Sequence, residues 1–333
     1  MRIDLSLNEN VYGIPSNMLQ NYRLADYDIS KYSNSNILTD YLVNNYELKR
    51  ESIIMGYGIE DILLRIFHLL LDNKDVLLLA DVAWEHYYAL SNKVDAKCCT
   101  YTMRLDEKHY HFDIDEIIAK AKEYAPKVII INSPNNPTGN GMTYSQLEYI
   151  LANCPESIIL FDECYMGFEG ELSYSKQQSL VNAYDNVIFL NSLSKFFALA
   201  SLRVGFAVTS PHIVEIYERI KPRWEISPMD LAISKEVLMN QDYFFESAKK
   251  IRKTREWFIC KVRENTLLKI YDSESNFVYI KYKFACDLGE VLYARGYKVK
   301  YGEDYLRITI GRQVDMENIY DIIFEFDERH CND

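Results

Sequence analysis

Residues 191–206 carry the side chains with the clearest potential for chemistry. They follow an apolar run, residues 187–190, which predicts a buried strand. Lys195 follows the small hydroxyl residues Ser192 and Ser194, and Arg203 follows it by eight positions. Charged side chains of this kind are rarely placed in a protein core. Together they could hold an anionic cofactor, with the lysine amine forming an imine with it.

Two earlier apolar runs also end in polar residues. Residues 128–131 lead into an Asn- and Pro-rich turn that presents Asn136, and residues 158–161 end at Asp162. A buried carboxylate is costly without a partner, so Asp162 either meets a cation or caps a helix. The turn around Asn136 could equally form without any ligand. Tyr165 follows Asp162 closely enough to face the same place.

The elements that must position these residues alternate between strands and helices. This pattern is typical of a mostly parallel sheet covered by helices on both faces. Ligands of such sheets bind at the carboxyl ends of the strands, and spacings of 26 and 33 residues bring Asn136, Asp162 and Lys195 to that edge. Helices are expected over residues 37–46 and 59–71. Strands are expected over residues 53–55, 76–80, 98–102, 128–132, 158–162, 187–191 and 205–209.

The character of the chain changes after residue 211. Residues 222–228 resemble an elbow, and a long helix is expected over residues 229–265. Strands over 276–283, 298–300 and 305–310 and a helix from about residue 314 follow. We therefore expect an arm (1–30), a large domain (31–225) and a smaller α+β domain (226–333).

The composition excludes several classes of function. The chain of 333 residues is 48% hydrophobic and 26% charged, which is typical of a globular protein. Its net charge of −12 argues against nucleic acid and anionic membranes as partners. No segment is long and apolar enough to span a membrane, and no signal peptide is expected. Seven cysteines without CxxC spacing favour a reduced cytoplasmic setting and predict no metal site.

Several motifs together resemble one enzyme family. SPNNPTG at 133–139, FDECY at 161–165 and SLSK at 192–195 are similar to those of the pyridoxal-phosphate enzymes of the aspartate aminotransferase fold. NENVYG, KYSNSN, GYGIED, SNFVYIKY and YLRITIG extend the resemblance over nearly the whole chain. Histidinol-phosphate aminotransferases and threonine-phosphate decarboxylases are the most similar groups. The resemblance implies a large domain with a seven-stranded, mostly parallel sheet and a smaller C-terminal domain.

The resemblance implies a role for each candidate residue. Lys195 would form a Schiff base with pyridoxal 5′-phosphate and then move a proton as acid and base. Asp162 would keep the pyridine nitrogen protonated, and Asn136 and Tyr165 would bind the ring hydroxyl oxygen. The phosphate would be held by Arg203, Ser192, Ser194, Gly58 and the backbone N–H groups of Ile59 and Glu60. The residues around Gly58 could also form a simple turn.

Trp84 stands where the family usually has a tyrosine that stacks on the pyridine ring. A tryptophan stacks at least as well but lacks the phenolic hydroxyl, and it could instead pack into the core. Glu85 and His86 follow it and receive no role from the sequence.

Substrate binding is implied for three residues. Arg307 matches the arginine that binds the substrate carboxylate, and Tyr12 of the arm is expected to touch substrate. Lys300 replaces a second arginine, which helps to hold the substrate phosphate in histidinol-phosphate enzymes. Lysine keeps the positive charge but not the bidentate fork of arginine. The sequence therefore leaves open whether the substrate carries a phosphate. Tyr32 matches a tyrosine that reaches the neighbouring active site, so a homodimer is expected.

Three functions are considered for a chain with these motifs. The first is a transaminase that moves an amino group between glutamate or 2-oxoglutarate and a small substrate. The second is a decarboxylase of a phosphorylated amino acid, of the threonine- or serine-phosphate type, which needs the same residues. The third, the sensor domain of a transcription regulator, is disfavoured because the chain is acidic and has no basic helix-turn-helix segment.

Overall fold

The computed structural model describes residues 2–19, 32, 36–222 and 224–330. Residues 20–30 of the expected arm and most of KYSNSN therefore lie outside the described residues. The helices are Ile37–Tyr46 (α1), Gly58–Leu70 (α2), His86–Ser91 (α3), Ile114–Tyr124 (α4), Tyr144–Asn153 (α5), Tyr174–Ala183 (α6), Pro211–Glu218 (α7), Pro228–Met239 (α8), Gln241–Asn265 (α9), Ala285–Ala294 (α10) and Gln313–His330 (α11). The strands are Ile3–Asp4 (β1), Ile53–Gly56 (β2), Val76–Ala80 (β3), Lys97–Tyr101 (β4), Arg104–Leu105 (β5), Tyr110–His111 (β6), Val128–Asn132 (β7), Ile158–Asp162 (β8), Val187–Ser192 (β9), Gly205–Thr209 (β10), Lys269–Ile270 (β11), Phe277–Lys281 (β12), Tyr297–Lys298 (β13), Lys300–Tyr301 (β14) and Tyr305–Thr309 (β15).

The largest sheet has seven strands in the order β2-β10-β9-β8-β7-β3-β4. Strand β10 runs antiparallel to both of its neighbours, and the four pairs along β9-β8-β7-β3-β4 are parallel. The expected α/β fold with a seven-stranded, mostly parallel sheet is confirmed. The register pairs Asn132 with Asp162, so the ends of β7 and β8 lie side by side.

The continuous apolar runs form strands because helices cover both faces of the sheet. All five residues of β7 and all five of β10 are buried. Alternate residues of each strand pack into two separate core clusters, one on each face: Ile129 and Ile131 join one cluster, and Val128 and Ile130 join the other. Such runs bury apolar area on both sides, which is why their limits could be read from sequence.

A second, four-stranded antiparallel sheet has the order β11-β12-β15-β14. The helical stretch expected over residues 229–265 is present as two helices, α8 and α9, which are separated at Asn240. There the backbone leaves the helical region (φ −108°, ψ 32°), and the Asn240 side chain donates to the carbonyl of Glu236. Asparagine bonds readily to nearby backbone groups, which favours a helix end at this position.

The first residues of the chain pack as an arm against the second sheet. Strand β1 pairs in parallel with β13, and the N–H of Thr309 donates to the carbonyl of Leu5. The buried Asn276 amide then donates to the carbonyls of Asn8 (3.0 Å) and Glu9 (3.2 Å). These bonds fix the path of the arm across the sheet edge. In the described part of the chain, no helix is long and apolar enough to cross a membrane.

Replacing Asn276 with alanine should release the arm. The carbonyl of buried Asn8 and the part-buried carbonyl of Glu9 lose their donor, so we expect the free energy of unfolding to fall by roughly 1–3 kcal/mol. Urea unfolding measures this loss, and limited proteolysis within residues 2–19 should become faster. Asn45→Ala is the matched control, because the exposed Asn45 amide bonds only within its own helix. Equal stability and equal proteolysis for both variants would contradict this role of Asn276.

Candidate active site

A cavity of about 280 Å³ lies at the carboxyl ends of β7, β8 and β9. It collects most of the residues singled out in the sequence. Those that line it are Ile59, Glu60, Trp84, Asn136, Asp162, Tyr165, Ser192, Ser194, Lys195, Arg203 and Arg307. A wider cavity of about 640 Å³ adjoins it and shares Trp84, Asn136 and Arg307.

Asp162 is the most buried charged group of the cavity, 2% exposed. Burial raises the pKa of its carboxyl to about 6, and hydrogen bonds from the Tyr87 hydroxyl (2.6 Å) and the Cys164 N–H (2.9 Å) oppose that rise. Each carboxylate oxygen therefore has one donor, and a carboxylate can accept further bonds. A cationic N–H in the cavity would hold this carboxyl ionised at neutral pH.

Lys195 lies just beyond the end of β9. Its Nζ donates to the carbonyl of Leu7 in the arm at 2.7 Å. Burial lowers the pKa of this amine, and the nearby positive charges of Arg307 and Arg203 lower it further. An amine with a lowered pKa is more often neutral, which is the form that attacks an aldehyde and accepts a proton.

Asn136, Tyr165 and Arg307 form one hydrogen-bonded group. The Tyr165 hydroxyl oxygen accepts from the amides of Asn8 (2.9 Å) and Asn136 (3.3 Å), and the Asn136 Oδ1 accepts from Arg307 Nη1 (2.7 Å). Burial raises the pKa of Tyr165, so its phenol stays protonated. With both lone pairs used, the hydroxyl hydrogen is available to a ligand oxygen.

Arg203 faces the N-terminus of α2. Gly58, the first residue of that helix, has φ +78°, and a Cβ built on it would lie 2.8 Å from Arg203 Nη2. At the end of β9, the Ser192 hydroxyl accepts a hydrogen bond from the N–H of Ser194 at 3.1 Å. A guanidinium, a helix N-terminus and two hydroxyls together can bind a phosphate group.

Trp84 lies where the two cavities meet. Its ring packs edge-on against Tyr87 at 5.3 Å, and it is half-buried, so it contacts the core while remaining open to the cavity. Beside it, Glu85 pairs with Lys300 (2.9 Å) and His86 pairs with Glu60 (2.8 Å). These two pairs line the mouth of the wider cavity.

Two predicted residues lie away from both cavities. The Tyr12 ring contacts Arg312 and Lys250, and its carbonyl accepts from the Tyr243 hydroxyl at 3.1 Å. Tyr32 is 77% exposed and stacks on Trp224 with ring centroids 4.1 Å apart. Neither residue reaches the cavity of its own chain.

Sequence reasoning missed three residues that support the site. Tyr87 bonds Asp162, Asn8 bonds Tyr165, and Asn132 accepts from the Asn136 N–H (2.8 Å) while its amide donates to the Asp162 carbonyl (2.9 Å). Asn132 had a visible signal, because it ends a strand as Asp162 does. Asn8 begins the NENVYG motif, which marks it but does not indicate Tyr165 as its partner, and Tyr87 had no signal because its partner is distant in sequence.

Comparison with known proteins now identifies the family. The sequence model described as "Aminotransferase class I and II" matches residues 3–323. The chain belongs to this family. The aminotransferase therefore uses pyridoxal 5′-phosphate, as expected from its motifs.

Similar proteins agree with this assignment. Histidinol-phosphate aminotransferase 1 of Mannheimia succiniciproducens is 28% identical, over 97% of this chain and 89% of its own length. Histidinol-phosphate aminotransferase 1 of Legionella pneumophila is 29% identical, over 91% and 85%.

Solved structures share the fold. Histidinol-phosphate aminotransferase from Sinorhizobium meliloti, in complex with pyridoxal 5′-phosphate, has a TM-score of 0.87 at 19% identity, over 99% of this chain and 91% of its own. L-threonine-O-3-phosphate decarboxylase from Porphyromonas gingivalis has a TM-score of 0.84 at 16% identity, over 98% and 99%.

The residues present fit the cofactor. Asp162 could pair with a pyridinium nitrogen, and the open donor of Tyr165 suits a ring oxygen. The space between Gly58 and Arg203, which we call the phosphate cradle, would be filled by a Cβ on residue 58. The glycine therefore leaves room for the arginine beside the helix N-terminus. Lys195 supplies the amine that an aldehyde needs.

Gly58→Ala tests the phosphate cradle. The new Cβ should displace the Arg203 guanidinium and strain the backbone at φ +78°. We expect the cofactor dissociation constant to rise roughly tenfold, equivalent to about 1.4 kcal/mol. Fluorescence titration of the apoenzyme with pyridoxal 5′-phosphate measures it.

Gly13→Ala is the matched control, because Gly13 also has a positive φ of +60° but nothing lies within 4 Å of its added Cβ. It should lose stability from strain alone and bind the cofactor normally. Cofactor binding by Gly58→Ala that matches wild type, or an equal weakening in both variants, would show that Arg203 and Gly58 do not form the cradle.

Proposed function

We propose that this aminotransferase moves an amino group between glutamate or 2-oxoglutarate and a small amine or keto substrate. The observation that carries the proposal is the convergence of Lys195, Asp162 and Arg307 on one cavity. A reactive amine, a buried carboxylate and a carboxylate-binding cation are the set that amino transfer from an amino acid requires.

The cofactor-binding roles are proposed residue by residue. Asp162 keeps the pyridine nitrogen protonated, Asn136 and Tyr165 bind the ring hydroxyl oxygen, and Trp84 stacks on the ring. The phosphate is held by Arg203, Ser192, Ser194, Gly58 and the N–H groups of Ile59 and Glu60. When bound, pyridoxal 5′-phosphate supplies an electron sink that stabilises negative charge at the substrate carbon.

Lys195 is the proposed acid and base. Its Nζ donates to the Leu7 carbonyl, and burial lowers its pKa. The neutral amine can therefore remove a proton at the substrate carbon and return it to another carbon nearby. The arm holds the amine in place through Leu7 and covers this side of the cavity.

Arg307 is the proposed anchor for the substrate carboxylate. Its Nη atoms bond Asn136 and the Ser6 carbonyl, and its buried Nε has no hydrogen-bond partner among the described residues. An unsatisfied buried N–H costs free energy until a ligand accepts from it. A carboxylate in the cavity would do so.

Lys300 is the proposed contact for the far end of the substrate. It lies opposite Arg307 in the pairing of β14 with β15, so both cations border the wider cavity. Glu85 pairs with Lys300 and is 71% exposed, so a distal phosphate would have to displace it. The carboxylate of an exposed ion pair is held only weakly, which allows this exchange.

We further propose a homodimer in the cytoplasm. The exposed Tyr32–Trp224 stack is suited to contact a second copy, in which Tyr32 would reach the cofactor phosphate and Tyr12 the substrate.

The acidic charge argues against nucleic acid and anionic membranes as partners. The division into arm 1–30, large domain 31–225 and small domain 226–333 stays a prediction.

The half-reaction with glutamate tests the proposed function. Glutamate alone, added to the cofactor-loaded protein, should convert the cofactor to its amine form, with loss of absorbance near the aldehyde band and release of 2-oxoglutarate. Arg307→Lys should raise the glutamate concentration for half-conversion about tenfold or more, because the bidentate fork is lost. Arg219→Lys is the matched control, because Arg219 is an exposed arginine that pairs with Glu215 outside both cavities, and it should leave the glutamate reaction unchanged.

The opposite outcome would favour the decarboxylase. No conversion by glutamate, together with carbon dioxide release from threonine or serine phosphate, would overturn the transaminase proposal. If transamination is confirmed, a panel of phosphorylated and unphosphorylated keto compounds then identifies the second substrate.

A further inference from the structure

Two histidines and an aspartate cluster on a hairpin outside both cavities. Strands β5 and β6 pair so that Arg104 lies opposite His111, and the turn between them begins at Asp106. The rings of His109 and His111 lie on the same side of the hairpin, with their centroids 5.6 Å apart. One ligand atom each from Asp106, His109 and His111 lies within 4.8 Å of the others.

The geometry of this cluster matches a metal site. Asp106 Oδ2 lies 2.8 Å from His111 Nε2, and Asp106 Oδ1 lies 3.4 Å from His109 Nδ1. Ligand atoms on a tetrahedral zinc ion, each at about 2.0–2.2 Å, are separated by roughly 3.3–3.5 Å. These two contacts use different carboxylate oxygens, and with one atom from each residue the three lie within 4.8 Å of one another, so side-chain shifts of about an ångström would let them surround one ion. Asp106, His109 and His111 are all partly exposed, so water can occupy the fourth coordination position of the ion.

The cluster is held in shape before any ion binds. The Asp106 carboxylate accepts from the N–H groups of Lys108 and His109, both at 2.8 Å, which fixes the turn. The Nδ1 atom of His109 faces Asp106, and its Nε2 atom contacts Asp272 Oδ2 at 2.7 Å. Asp272 is oriented in turn by Arg263 at 2.7 Å. A carboxylate on the far nitrogen of a histidine ligand sets its tautomer and increases its basicity.

We propose that Asp106, His109 and His111 bind one divalent transition-metal ion, of the class that zinc represents. Two imidazoles and a carboxylate suit this class better than magnesium or calcium, which prefer oxygen ligands only. The sequence predicted no metal because its cysteine spacing is wrong, whereas this site uses no cysteine. The inference stands apart from the proposed transaminase function.

The site links the hairpin to a segment beside the active-site turn. The N–H of Asp272 donates to the Lys108 carbonyl (2.8 Å), and the N–H of Glu274 donates to the Gly139 carbonyl (2.7 Å). Residue 139 ends the SPNNPTG turn that carries Asn136. A bound ion therefore stabilises the contact between the hairpin and residues 272–274, a structural role rather than a catalytic one.

Zinc binding to the cofactor-loaded, tag-free protein tests the site. Equilibrium dialysis with metal counting should give one more zinc ion per chain for wild type than for the double variant His109→Ala, His111→Ala. The matched control is His68→Ala with His212→Ala, two exposed histidines on α2 and α7, and it should bind as wild type. Zinc should raise the melting temperature of wild type and of the control by several degrees, but not that of the double variant.

Two further variants separate a metal site from a structural hairpin. Asp106→Asn can keep the bonds that fix the turn but loses the carboxylate, so it should bind zinc at least tenfold more weakly. Asp272→Asn should weaken binding about 10–100-fold without changing the number of ions, as expected for a carboxylate behind a histidine ligand. Equal zinc counts and equal affinities in wild type and these variants would overturn the proposal.

Discussion

Everything at this site depends on a carboxylate buried at the end of an apolar strand. Asp162 completes β8 and is almost wholly removed from water, so burial raises its pKa to about 6. The Tyr87 hydroxyl and the Cys164 N–H stabilise it only in part. In the proposed mode of binding, a pyridinium nitrogen would supply the missing positive partner, and each group would then favour the charged form of the other.

The neighbouring strands and the arm place the remaining groups around this carboxylate. Strand β7 leads to Asn136, and β9 leads to Lys195. The arm then closes the site from the other side, because Leu7 accepts from Lys195 and Ser6 accepts from Arg307. The arm itself is fixed by Asn276 and Thr309. A substrate carboxylate at Arg307 would therefore meet groups contributed by three distant parts of the chain.

The sheet and its ligand edge could be predicted from sequence because each strand is buried on both faces. The limits of β3, β7, β8 and β10 were predicted to the residue, and β4 was displaced by one. The helix break at Asn240 was missed, since one polar residue does not interrupt a helical pattern. Tyr87 and Asn8 were missed because their roles depend on partners 75 and 157 residues away.

The central claim is that Lys195 is the amine that bonds the cofactor, and borohydride reduction tests it most directly. Reduction fixes an imine between the cofactor aldehyde and a lysine as a stable secondary amine. Peptide mass spectrometry of the reduced, cofactor-loaded protein should then find the cofactor on Lys195 alone. Lys195→Ala, otherwise folded, should carry none. Cofactor on another lysine, or labelling that persists in Lys195→Ala, would contradict the account.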